Sequence, residues 1–542
     1  MSDLSRALRA YAERQLPRVL TQMDRDPDSP RFGNFDRNHW HYKIRDFSSA
    51  ILQQGAFTLD ALLRGDLEMP GDAEKIELWA VAAVNALAAQ VRRDGGVDEY
   101  FPYERSYPAA AFGLYAAARL ALDWRDSRPA LAAKIDWRGL SRLAAHLDRR
   151  QETDASNQQA AGLAALALAA RVPEISPRPE RTPEHADRLF ASQHAEGWFP
   201  EYGGPDFGYL AVTIDALVDY HDATEDPRAL LAIDRAVEFL ASLVGADGRL
   251  PSTLNSRNTD YVVPYGLART GARNARAAWL VETLFRDAAD PGHFLWATDD
   301  RYHSHYVYAS VVRALPHLAS MLPAEPPSER KSVMLEGAGY RVVWSADRSW
   351  SAAIGLRKGG LVRIHRRDAP PWLDHGWRIR EGSTLWTSNW WQGAEARIET
   401  VGAEDGRLRI SGACRKASIL VPTPAKHAAL RLASKVLGAR LLKPLRRLLI
   451  FKPQKDDPNA PRFEREIEAN ERGIAVRDRL TFPSGARAER SPRQNLRHVA
   501  SAESFHPEDL LPPITAPIDW TAGGLTAEWR FPEEAERAEV DR

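Results

Sequence analysis

The feature that most constrains this chain is a loop-and-helix signature that returns about every fifty residues along its first three hundred. It reads Asp94-Gly95-Gly96 with Ser106-Tyr107, then Ser156-Asn157-Gln158, then Glu196-Gly197-Trp198 with Gly208-Tyr209. Asp247-Gly248-Arg249 with Asp260-Tyr261 follows, and then His303-Ser304-His305-Tyr306. Anchors at 107, 157, 209, 261 and 305 lie 50, 52, 52 and 44 residues apart, which is room for two helices and two loops. The repeating unit is therefore a helical hairpin. Apolar stretches at helical spacing follow the anchors at 109–122, 160–170, 210–220, 262–268 and 307–318. Second helices are expected at 76–91, 140–147, 183–192, 230–244 and 275–285. An earlier copy, His41-Tyr42 followed by 47–52, brings the hairpins to about six. Six hairpins in a ring make an α/α toroid, with one helix of each pair inside and the anchors gathered at one mouth.

A chain of 542 residues exceeds what a single core usually holds. The helical pattern fades at Pro323-Ala324-Glu325-Pro326-Pro327, and beyond it the apolar period becomes two. Short alternating runs occur at 340–344, 351–356, 361–364, 396–401, 408–410 and 474–480, separated by Gly and Asp turns. They predict an antiparallel β-sandwich. The expected domains are a toroid over 1–330 that carries the catalytic and substrate-binding residues, and a sandwich over 331–542.

Composition narrows the partners. With 73 basic and 73 acidic residues the formal charge is zero, and nothing in it points to nucleic acid. Cys414 is the sole cysteine, which excludes an intramolecular disulfide and reads as a buried thiol. The first twenty residues are amphipathic and charged, unlike a signal peptide, and no apolar run is long enough to span a bilayer, so a cytoplasmic location is expected. One segment departs from neutrality. Near 426–452, Arg431, Lys435, Arg440, Lys443, Arg446, Arg447 and Lys452 are interleaved with leucines, an amphipathic basic insertion inside the β domain. Such a helix can touch an anionic membrane peripherally or pack on the sandwich as a solvated surface helix.

The chemistry is expected where the anchors converge. Helix N-termini gathered at one mouth favour anions, so a carboxylated substrate suits it. Aromatic residues able to stack on sugar rings surround the mouth, among them His41, Tyr107, Trp198, Tyr202, Tyr261 and Tyr306. Structural readings stand beside these: Trp198 can plug the space between hairpins, Asn157 can serve a helix start, and Tyr209 can close the core below the mouth. His303 and His305 are two residues apart, on different faces of a helix, although a loop or strand would let both point into a cleft.

These residues resemble the heparinase II/III-like polysaccharide lyases, which join an α/α toroid to an antiparallel sandwich and cleave uronate polymers between them. Asn157-Gln158 followed 52 residues later by Tyr209, with Glu201-Tyr202 just upstream, match that family's neutralising amide, proton-exchanging tyrosine and acidic loop. The resemblance implies a sandwich histidine as well, with His375 the better match and His365 the second; Gln158 stands where some members carry a catalytic histidine. The candidate catalytic residues are Asn157 and Tyr209, with His303, His305 or His375 as the partner of the tyrosine, and Arg37, Gln158 and Glu201 are candidates for holding the substrate.

Removal of the C5 proton of a uronate loads charge onto its carboxylate, so hydrogen-bond donors must stabilise that state while a tyrosine or histidine exchanges protons. No cofactor is required, and the sequence leaves room for a structural metal in the sandwich. Two other functions fit the same sequence. A toroidal glycoside hydrolase would use a carboxylate pair drawn from Asp98, Glu99, Glu201 and Asp206. A glycan-binding or assembly protein would hold an acidic polysaccharide or oligosaccharide without turning it over.

Overall fold

A computed structural model of the chain describes residues 2–251, 256–328, 332–390, 397–401, 407–417, 421–451, 457–493 and 504–532. Five inner helices follow the anchors: Tyr107–Ser127, Ser156–Ala170, Phe207–Thr224, Tyr265–Gly271 and Tyr308–Ala314. A sixth, Ala56–Arg64, packs on both the first and the last of these and closes the ring. The outer layer comprises Ala73–Gln90, Trp137–Asp148, Thr182–Ala191, Pro227–Leu243 and Ala275–Phe285. The N-terminal helix Asp3–Gln22 covers the seam against Ala275–Phe285 and Tyr308–Ala314.

Alanine explains how the inner helices fit. Ser156–Ala170 is buried on nearly every side, and its alanines let Tyr107–Ser127 and Phe207–Thr224 approach closely on either flank. Gly162 is required there, because a Cβ would stand 2.2 Å from the Tyr107 hydroxyl.

Two boundaries differ from the sequence expectation. The helix assigned to 47–52 starts later: Ala50–Gly55 is a tight 3-10 turn, and the inner helix runs Ala56–Arg64. The Gln53 side chain holds that turn by accepting from Phe35 N and donating to the carbonyls of Gly33 and Ala83. After Tyr261 the chain has no regular secondary structure until the helix begins at Tyr265, because Pro264 disfavours helical geometry in the residue before it.

The C-terminal half is antiparallel throughout the described residues. One sheet is a meander of Val333–Leu335, Tyr340–Trp344, Trp350–Gly355, Leu361–Arg366 and Trp372–Asp374. Another orders Ile518–Thr521, Gly524–Phe531, Gly473–Thr481, Arg462–Asn470, Arg407–Ala413 and Arg397–Val401. Ala396, the expected start of the last of these, lies outside the described residues. Between the two sheets Ile354, Val362 and Ile364 meet Ile410, Ile467, Val476 and Trp529 in one core, the arrangement of a sandwich. Its polar centre is Arg465, which bonds Asp478 at 2.7 Å and faces Asp374 at 3.1 Å, while Trp377 and Trp529 donate indole N–H groups to the same two carboxylates. Cys414 is buried, and burial pushes its thiol up to about 12. Among the described residues no helix is long and apolar enough to cross a membrane.

The sandwich sits against the anchor loops. Glu196 accepts from the backbone N–H groups of Gly337 and Ala338, both at 2.8 Å. His365 pairs with Asp247 at 2.8 Å, Arg363 and Arg249 share Glu508, and Lys358 donates to Asn258. The basic segment forms the helix Pro424–Leu437 and further turns to Phe451. It reaches the toroid, with Arg431 bonded to Asp46 and Arg446 gripping Glu152 at 2.5 and 2.6 Å. Lys452 lies outside the described residues.

Candidate functional site

At the mouth, the helix Ser156–Ala170 begins beside Glu201 on the next anchor loop. Glu201 Oε1 accepts both the backbone N–H and the side-chain Nδ2–H of Asn157, each at 2.7 Å. Asp206 fills the start of Phe207–Thr224 in the same way, accepting from Tyr209 N at 3.0 Å. These two helix N-termini, expected to hold a substrate carboxylate, are therefore already occupied by carboxylates of the chain.

The cation of the site comes from the loop before Tyr261. Arg257 is buried, with its guanidinium 4.4 Å from the Tyr202 ring centre, 4.6 Å from that of Tyr209, and 4.0 Å from Glu201 Oε2. Tyr202 and Asn258 both adopt positive φ, at 51° and 59°, so the two loops flanking this guanidinium carry strained backbone. Burial pushes the Glu201 carboxyl up to about 8 against the opposing pull of Arg257 and Asn157, so it is largely neutral near pH 7. Among the described residues Asn157 Oδ1, Gln158 Oε1, Glu201 Oε2, and Nε and Nη1 of Arg257 are buried without a hydrogen-bond partner. Several such atoms in one cluster mark a place built to receive polar groups.

Aromatic rings form the adjoining wall. Tyr306 meets Tyr209 edge-on at 6.2 Å and Phe112 at 4.9 Å, and Tyr302 lies near Tyr261, Tyr306 and His305. His305 holds its Nδ1 against the Arg301 carbonyl, and burial keeps the ring well below the usual histidine range. A neutral ring that donates through Nδ1 presents Nε2 as an acceptor. Arg301 bonds Glu99 at 2.9 Å and lies over Tyr100, extending the cationic wall.

Asn157, Gln158, Glu201, Tyr202, Tyr209, Tyr261, His305 and Tyr306 thus converge. Other candidates do not. His303 points away, because 303–307 is a helical turn and not a loop or strand; its Nδ1 faces the Tyr11 hydroxyl at 3.2 Å inside the wall, and burial pushes it down to about 3. Trp198 stacks on His194 at 4.5 Å and donates to Glu196, so its ring is engaged where the anchor loop meets the sandwich. Tyr107 is turned onto Gly162 within the wall. Arg37 folds back over Trp40 and Tyr42 and bonds the Thr21 carbonyl, and His41 is exposed between those two rings. His375 lines a cavity of about 250 Å³ in the sandwich with Trp372, Arg366 and Glu508, and burial pushes it down to about 4. His365, the second choice, is committed to Asp247.

The carboxylates available to a hydrolase are also committed. Asp98 binds Arg92 and accepts from Tyr103 N, Glu99 holds Ser106 and Arg301, and Asp206 serves its helix. Only Glu201 Oε2 is left without a hydrogen bond in this set. No group of three or more His, Cys, Asp or Glu side chains among the described residues is placed to hold a metal ion.

Sequence reasoning missed Arg257, Arg301 and Lys358. For the two arginines the available signal was a basic residue four positions ahead of an anchor, Arg257 before Tyr261 and Arg301 before His305.

No protein-family model and no curated protein matches the chain. Solved structures do. Chondroitin AC lyase of Streptomyces coelicolor A3, solved with chondroitin sulphate, superposes with a TM-score of 0.51 at 11% identity, over 90% of this chain and 68% of that one. Paenibacillus xanthan lyase gives 0.49 at 10% identity, over 90% and 46% of the two chains. Heparan sulfate lyase of Pedobacter heparinus gives 0.37 at 11% identity, over 77% and 65%. The chain shares the toroid-and-sandwich fold of that chondroitin AC lyase.

Proposed function

We propose that this protein cleaves a uronate-containing acidic polysaccharide by β-elimination at the toroid mouth beneath the sandwich. The observation that carries this reading is the buried Arg257 guanidinium between Tyr202 and Tyr209, beside the amides of Asn157 and Gln158 and the neutral carboxyl of Glu201. In β-elimination the C5–H bond breaks, its electron pair moves toward the carboxylate and then forms the C4–C5 double bond, and the C4–O bond breaks as the departing oxygen gains a proton. The enolate-like state needs fixed positive charge and donors that do not have to reorganise. Arg257 and the Gln158 amide supply them, and the neutral Glu201 adds no competing charge.

Two groups can carry the proton transfers. Nε2 of the neutral His305 can take the C5 proton, and the Tyr209 hydroxyl can donate to the leaving oxygen. A histidine held well below its usual range is a weak base, so most of the rate must come from stabilising the enolate. The cluster lies beneath the surface, with Arg446 5.7 Å from the Tyr202 ring centre, so the polymer enters by displacing this strap.

The test is a panel of uronate polymers incubated with purified protein and followed by the ultraviolet absorbance of an unsaturated product. Wild type should generate it, and Tyr209→Phe and Asn157→Ala should lose most of it. New reducing ends without the absorbance would mean hydrolysis, and binding without turnover would mean a glycan-holding role; either outcome overturns the proposal.

A further inference from the structure

The segment 424–451 carries Lys426, Arg431, Lys435, Arg440, Lys443, Arg446 and Arg447 and no acidic residue. Its helix Pro424–Leu437 is not packed like the other long helices, since Ser434 is its one buried residue. The face through Leu430, Ser434 and Gly438 is turned to the toroid, where Gly438 abuts Tyr103 and Arg105 and the flanking Arg431 bonds Asp46. On the outward face, Leu432 and Val436 are four residues apart on one stripe, with relative exposures of 71% and 79%. Val421, Leu437 and Leu448 are exposed as well. Across the Arg431–Asp46 pair, the toroid adds Ile44 at 74% and Tyr42 at 57%, with Lys43 between them. Large aliphatic side chains interleaved with cations are costly to leave in water, and their exposure along this segment and the adjoining Tyr42-Lys43-Ile44 points to a partner.

We infer that this surface docks on an anionic lipid bilayer. The apolar tips are aliphatic and stand proud of the backbone, suiting insertion at the acyl boundary, while Lys435, Arg440, Lys443 and Arg447 lie along the same segment to meet headgroup phosphates. An acidic polysaccharide would match the charges but would leave Leu432, Val436 and Ile44 without apolar contact. Because the segment also grips Glu152 and Asp154 through Arg446, docking holds the toroid mouth close to the bilayer.

The experiment is co-sedimentation of the full chain with phosphatidylcholine vesicles and with vesicles in which phosphatidylglycerol makes up about a third of the lipid. Binding to the anionic vesicles alone, weakened by salt, is expected. The pair Leu432→Glu with Val436→Glu should reduce partitioning by about tenfold or more. Leu231→Glu, an equally exposed apolar position on the outer helix Pro227–Leu243, should leave it unchanged. All three side chains are exposed, so the variants should melt with wild type, which a thermal scan checks. Failure to bind anionic vesicles, binding that survives the double substitution, or loss of binding by the Leu231 control would each overturn the inference. So would capture of soluble alginate through the same two residues with no vesicle binding.

Discussion

Replacing Glu201 with glutamine separates the charge of this side chain from its shape. Oε1 accepts both Asn157 donors, and a glutamine carbonyl in the same rotamer accepts them equally well. The carboxyl is buried, and burial raises its pKa from 4.5 to about 8. A raised carboxyl pKa means that the folded chain holds a proton which the unfolded chain has already released. The group's contribution to stability is therefore whole below the unfolded value and is lost as pH climbs through the folded one. Each unit inside that window is worth about 1.4 kcal/mol, and about two units of it lie between roughly pH 6 and roughly pH 9. Wild type should thus lose about 3 kcal/mol through Glu201 over that range, and Glu201→Gln should not. Glu104 and Asp215, also raised by burial to about 8 and about 7, titrate in both proteins and cancel in the difference. Urea unfolding followed by helical circular dichroism reads the toroid, and the stability gap between the two proteins should widen steadily with pH. A gap that stays constant within about 0.5 kcal/mol would show that burial does not control this proton, and the neutral carboxyl would have to be abandoned.

Arg257→Lys should lower formation of unsaturated product by about a hundredfold with little change in melting temperature, because a compact ammonium cannot span the two rings and the orphaned atoms as a planar guanidinium does; retained activity would remove Arg257 from the chemistry. Arg465→Met leaves the buried Asp374 and Asp478 facing each other with less compensation and should cost the sandwich about 3–5 kcal/mol, read as a lower melting temperature of the β signal. Gly245→Ala places a Cβ 2.3 Å from the His365 ring and should destabilise the domain junction by about 1–3 kcal/mol, seen as faster proteolysis between the halves; a protease-resistant variant would contradict it.

The toroid was legible because its signal is local and repeated. Tyr107, Asn157 and Tyr209 each stand at or within two residues of a helix start, and the apolar period after them could be counted. The misplaced helix at 47–52 failed for a nonlocal reason, since Gln53 fixes its turn through the Gly33, Phe35 and Ala83 backbone. Site residues divide in the same way. Tyr209 sits on an inner helix and Tyr306 on the helical turn that leads into one, where the repeat places its anchors, whereas Trp198 and Tyr107 carry the anchor signature yet turn into the structure. Direction is set by side-chain partners that a count of apolar residues does not read: Glu196 within its own anchor for Trp198, and Gly162 on the next inner helix for Tyr107.

The clearest physical departure concerns how the mouth meets an anion. Free helix N-termini would recognise a carboxylate through backbone N–H groups and a modest dipole. Here Glu201 and Asp206 take two of those positions, so the helices are satisfied without a substrate, and negative charge sits where an anion was expected. That arrangement would repel a uronate if both carboxyls were ionised beside it. Burial removes the difficulty by keeping Glu201 largely protonated, while Arg257 and Arg301 supply full positive charges from the loops. On the proposed reading, recognition shifts from dipoles to guanidinium groups, which act over a longer range and in a fixed plane. The protonation of one capping carboxyl thereby links the stability of the toroid to the charge that its mouth offers a polymer.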